Sequence, residues 1–194
     1  MLRPVDFVFN DDQLEAQFAK FIADDPGKER GGVLFFVYDQ VTKMHWRMHE
    51  RIFGQRYFGI ITDWIVCPNT SNLPDREYSV SDLKQLLGIA EQTAKARHCY
   101  AMHFHTHPIG STIKPSKEDF DIWWKHFNKF GSWTETAIAA PHWDNPNFAL
   151  ACHRQDLDRQ KSQRVHRQGL FYSWNEIDAI LASDERYQKM RGAA

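Results

Sequence analysis

The stretch Gly31-Gly32-Val33-Leu34-Phe35-Phe36-Val37-Tyr38 limits what this chain can fold into more than any other segment. Consecutive side chains on a strand point to opposite faces, so an apolar run without alternation needs cover on both sides. A lone hairpin or a one-sided sheet would leave half of these side chains in water. The run therefore reads as a buried central strand, and other elements must supply a layer for each face. At 194 residues the chain is long enough for one well-packed domain and short for two.

Candidate layers follow from the spacing of apolar residues. Leu14, Phe18, Phe21 and Ile22 share a helical face behind Asn10, a candidate N-cap, and Asp24-Asp25-Pro26-Gly27 ends that helix. Leu83, Leu86, Leu87, Ala90 and Ala94 form a second stripe, and Phe120, Trp123, Trp124 and Phe127 a third. Ser173-Trp174-Asn175-Glu176 has capping-box form ahead of Ile177, Ile180 and Leu181. Strand-like pieces lie at Leu2–Phe9, within 41–66, at Cys99–His105, Ala137–Ala140 and Phe148–Cys152, while His153–Gln168 reads as polar and exposed. The expected fold class is α+β, a mixed β-sheet flanked by helices.

Composition narrows the function classes. Lys plus Arg number 24 against 25 acidic residues, so a net charge of −1 gives no general pull toward nucleic acid or anionic lipid. Cys67, Cys99 and Cys152 are an odd set with no CxxC pair, expected to be buried thiols in a reducing compartment. No run reaches membrane-spanning length, and the start lacks a signal-peptide core, so the expected location is the cytoplasm.

The histidines carry the chemistry. His103-Phe104-His105-Thr106-His107 places three imidazoles within five residues, able to share one face of a strand. Two histidines at i and i+2 suit Zn²⁺, and a catalytic zinc site takes three protein ligands and keeps a place for water. The turn Pro108–Pro115 leads into Ser116-Lys117-Glu118-Asp119, where Ser116 fits a helix N-cap and Asp119 falls in the first turn. His103 is expected beneath the site, orienting a ligand. His45 and His49, four apart, have nothing nearby to complete a second site. Trp123, Trp124 and Phe127 read as core, and the basic stretch Arg154–Arg167 as solvated.

His105-Thr106-His107-Pro108 followed by Pro115-Ser116-Lys117-Glu118-Asp119 resembles the JAMM signature, H-[ST]-H-P-x(n)-P-S-x-x-D, of the JAB/MPN metalloprotease family. Glu29-Arg30-Gly31-Gly32-Val33-Leu34 is similar to the family's upstream glutamate element, and the Pro68-Asn69 loop follows its order. The resemblance covers residues 1–152. It implies a JAB/MPN core of α-β-α, cytidine-deaminase-like architecture over 1–152, with a possible inserted hairpin within 40–66. Residues 153–194 would then be a C-terminal extension with a terminal helix packed on the core. It also implies that His105, His107 and Asp119 bind one Zn²⁺, that Glu29 activates a zinc-bound water, and that Ser116 steadies the oxyanion. Counting the family's usual loop length from His107 lands on Glu118; anchoring on Ser116 as N-cap selects Asp119.

The implied activity is a zinc-dependent metallo(iso)peptidase that cuts a peptide or isopeptide bond after the C-terminal tail of a ubiquitin-like protein. Implied partners are that modifier or its conjugate, and activating (E1-like) or conjugating (E2-like) enzymes. Two alternatives stay open: a non-catalytic MPN-like scaffold, and a JAB-type peptidase of another substrate class, phage-tail or RadC-type.

Overall fold

A computed structural model of the chain describes residues 6–40, 57–67, 79–122, 135–141, 148–158 and 163–183. Strand β1 (Asp6–Phe9) leads to helix α1 (Asp12–Asp24), then β2 (Gly31–Gln40) and β3 (Tyr57–Val66). Helix α2 (Val80–Arg97), β4 (Tyr100–Thr106) and the short α3 (Lys117–Ile122) follow. The last elements are β5 (Glu135–Pro141), β6 (Phe148–Asp158), β7 (Gln163–Tyr172) and α4 (Trp174–Ser183).

The strands lie in the order β1-β3-β2-β4-β5-β6-β7 and close into a mixed barrel, because β7 pairs in parallel with β1 through Phe7–Phe171 and Val8–Tyr172. This corrects the expected architecture. The chain is not an α-β-α, cytidine-deaminase-like sandwich with an open sheet between helices. The reason lies in residues 153–168. Their polar side chains give no strand signal, yet backbone pairing needs none. β6 runs on through His153 to Asp158, and β7 pairs antiparallel along it before reaching β1.

The strand β2 lies between β3 and β4, antiparallel to both, and is covered on both faces, as its composition requires. Leu34 and Phe36 enter one apolar cluster with Phe7, Phe9, Phe104 and the α1 residues Phe18 and Ile22. Val33 and Phe35, on the other face, meet Leu83, Leu86, Leu87 and Ala90 of α2. Each helix is set at its start by a side-chain cap: Asp11 accepts from Leu14 N–H in α1, and Ser79 with Asp82 forms a reciprocal box in α2. Gly32 permits the tight packing of β2, since a Cβ there would stand 2.1 Å from the Ile65 carbonyl oxygen and 2.7 Å from the Phe104 ring.

Cys67 and Cys152 are buried and Cys99 is partly so, all three as free thiols. Burial, with the Asp82 charge, pushes the Cys67 thiol up to about 12, where it is unreactive. No helix among the described residues is long and apolar enough to cross a membrane. The expectations for His45, His49, Pro68, Asn69, Trp123, Trp124, Phe127, Arg159 and Lys161 fall outside the described residues, as does the 41–56 part of the hairpin expected within 40–66.

Candidate metal centre

The centre is built on β4 and the loop that leaves it. His103 and His105 project from the face of β4 that also carries α2's cluster, with their rings stacked 5.8 Å apart. His107 follows directly after the strand, and its backbone N–H still donates to Ala139 O on β5 at 2.8 Å. The chain then turns through Pro108–Ser111, where Ser111 N–H donates to Pro108 O and Gly110 takes the positive φ of 81° that the turn demands. Ile109 N–H donates to Pro26 O at 2.7 Å, fastening the turn to the segment ahead of β2.

Helix α3 opens with a capping box. Ser116 Oγ accepts from Asp119 N–H at 3.1 Å, and an Asp119 carboxylate oxygen accepts from Ser116 N–H at 2.6 Å. That reciprocal lock aims the carboxylate at the histidines. Asp119 Oδ1 lies 3.1 Å from His105 Nε2, Asp119 Oδ2 lies 3.5 Å from His107 Nε2, and the two Nε2 atoms are 3.1 Å apart. Glu118, the neighbouring acid, faces solvent.

Three donor atoms so close fit a cation. The edge of a tetrahedron with zinc–nitrogen bonds near 2.0–2.1 Å is about 3.3 Å, and the observed separations bracket it. The tautomer of His107 fits as well: its Nδ1–H donates to Thr112 O at 2.6 Å, which turns the Nε2 lone pair inward. Lone pairs of His105 and His107 and a carboxylate oxygen repel one another unless positive charge stands between them.

Metal-free, that positive charge is a proton. Burial pushes the His107 pKa down, but hydrogen bonding to Asp119 and Thr112, with the charges of Asp119 and Glu29, raises it overall. Burial likewise favours neutral Asp119, but the hydrogen bonds from both histidines hold its carboxyl far below the usual range. His103 is different: burial, then the neighbouring His105, hold its pKa well below the ordinary histidine value, against a smaller opposing pull from Asp119.

Glu29 reaches the same place from β2's side. Gly31 pairs with His105, Arg30 O accepts from Thr106 N–H at 2.7 Å, and the register thus sets Glu29 across from His107. Thr106, on the opposite face from the histidines, grips the two peptide groups that flank Glu29. Its Oγ1 accepts from Arg30 N–H at 2.8 Å and its hydroxyl donates to Lys28 O at 3.2 Å. Glu29, remote in sequence, thus joins His105, His107, Ser116 and Asp119 at one corner of the barrel.

Several contributors carried no usable sequence signal. The Thr112 carbonyl is a backbone group, invisible in composition. The Thr106 clamp depends on a neighbour 76 residues away. Thr136 on β5, whose Oγ1 lies 3.2 Å from His103 Nδ1, sits in an unremarkable apolar strand. His153 belongs to the stretch expected to be exposed, yet it is fully buried and Nε2–H donates to Ile113 O at 2.7 Å.

No protein-family model matches the sequence, and no curated protein does. Among solved structures the chain is similar to protein DSY2949 from Desulfitobacterium hafniense, with a TM-score of 0.48 and 11% identity over 86% of this chain and 94% of that one. So distant a likeness bears on neither fold nor chemistry.

Proposed function

We propose that this chain is a zinc-dependent metallopeptidase or isopeptidase of JAMM type, acting after the C-terminal tail of a ubiquitin-like protein. The observation that carries the reading is the convergence of His105, His107 and Asp119, with Glu29 set across from His107. These are the residues that the JAMM resemblance marks, and Glu29 comes to them from a distant part of the chain.

His105, His107 and Asp119 would hold the zinc, which supplies Lewis-acid activation of water and of the scissile carbonyl. Glu29 is a carboxylate beside the ligands, suited to take the proton of the attacking water and deliver it to the leaving amine as the C–N bond breaks. Ser116 Oγ already accepts from Asp119 N–H, which leaves its hydroxyl proton free to point at a developing oxyanion. The modifier, its conjugates and the activating or conjugating enzymes are the proposed partners, and the cytoplasm the proposed location.

The test is cleavage of ubiquitin-like modifier fusions by the zinc-loaded protein. Cleavage is expected to stop on chelation and return with zinc. Glu29→Ala is expected to retain zinc and lose turnover; a Glu29→Ala protein that still cleaves would refute the assigned mechanism.

A further inference from the structure

We infer that His153 is a positioning residue for the metal centre, acting through the loop between His107 and Asp119. The inference rests on the proposal that His105, His107 and Asp119 hold zinc. His153, His103 and Thr136 form one row across three strands, since Thr136 on β5 pairs with His103 on β4 and with His153 on β6. From the far end of that row, His153 Nε2–H donates to Ile113 O at 2.7 Å. A carbonyl only accepts, so the contact also fixes which nitrogen of His153 carries the proton.

The adjacent carbonyl, Thr112 O, accepts from His107 Nδ1–H at 2.6 Å. Two successive carbonyls of the loop are therefore held by two imidazoles, one just past the end of β4 and one on β6. The Ile113 side chain packs against α2's cluster, giving this point of the loop a third attachment. Three residues further on, Ser116 begins the capping box that aims Asp119. Fixing Ile113 therefore places both the acceptor that sets the His107 tautomer and the start of the turn that delivers the third ligand.

Burial makes this contact matter energetically. His153 is 0% exposed, and an imidazole in such a place is costly unless its polar atoms are matched. A leucine would fill the volume without that demand. What leucine lacks is the donor.

The experiment compares His153→Leu, which keeps bulk and removes the donor, with His153→Gln, whose amide Nε2–H can replace it. Zinc affinity is measured by competition with a chromophoric chelator, and urea unfolding of each metal-free protein is measured beside it. H153L is expected to bind zinc roughly 10- to 100-fold more weakly, the range found when groups that orient ligands are removed. H153Q is expected to recover most of that loss. A residue with only a packing role would lower metal-free stability and leave the affinity of the folded protein unchanged. Wild-type affinity in folded H153L overturns the inference alone, as does H153Q binding as weakly as a non-donor. Failure of the wild-type protein to bind zinc overturns the metal centre itself, and this inference with it.

Discussion

Asp119 Oδ1 lies 3.1 Å from His105 Nε2, although one stands at the head of a helix and the other inside a strand. The capping box with Ser116 and the tight turn at Gly110 bring them together. Ordinary local chemistry, a cap and a turn, thus sets a long-range geometry.

The two adjacent acids of α3 should therefore differ sharply. Asp119→Ala is expected to abolish stoichiometric zinc binding and to weaken the helix cap. Glu118→Ala is expected to keep full zinc content, since Glu118 faces solvent. Elemental analysis of the two purified variants decides the matter; zinc loss in the Glu118 variant alone would exchange their roles.

Protons and metal compete for His107. Its pKa is raised in the metal-free fold, so the fold binds this proton more tightly than the unfolded chain does. The resulting stabilisation is fully present below the ordinary histidine value of about 6.5 and is lost as pH rises through the folded value. Zinc affinity should run the other way, rising with pH as His107 gives up its proton and then levelling off. Glu29→Gln removes the last and weakest contribution to the shift, so His107 should titrate slightly lower in that variant. Imidazole NMR titrations of the metal-free proteins test this, and an unchanged or higher value would contradict the placement of Glu29.

Thr106 should behave as the clamp of the Glu29 segment. Thr106→Val keeps the shape but removes the acceptor of the buried Arg30 N–H, at a cost of about 1–3 kcal/mol, and the donor to the part-buried Lys28 O, which costs less. Thr106→Ser retains the hydroxyl and should stay near wild type. Urea unfolding reads the difference, and equal stability of the two variants would show that the clamp contributes nothing.

Much of the site was legible because its parts are short, local patterns. Alternation at His103 and His105, a Pro/Gly turn and a Ser-x-x-Asp cap each have a physical meaning within a few residues. The two-sided cover of β2 was equally readable, since Val33 and Phe35 need one partner layer while Leu34 and Phe36 need another. The barrel closure was not. It depends on backbone pairing of a polar segment along β6, which carries Phe171 and Tyr172 on to β1, and neither side-chain periodicity nor charge reports such pairing. His153 was lost with that segment, because a buried histidine and an exposed one look alike until the strand beneath is known.

Gly32 offers a test of the packing between β2 and its neighbours. Gly32→Ala would place a methyl group against the Ile65 carbonyl and the Phe104 ring. The expected destabilisation is about 1–3 kcal/mol or more, since strand backbone cannot retreat as a flexible side chain can. Thermal or urea unfolding gives the answer, and a neutral substitution would mean that β2 and β3 are less closely apposed than described.

His105, His107 and Asp119 are proposed to form one metal centre. Calorimetric titration of the metal-free protein with Zn²⁺ tests it most directly, run beside His105→Ala and Asp119→Ala. One zinc per chain is expected in the wild type, with proton release on binding, and no comparable binding in either variant. A wild-type protein that takes up no zinc, or variants that bind it as tightly, would contradict it.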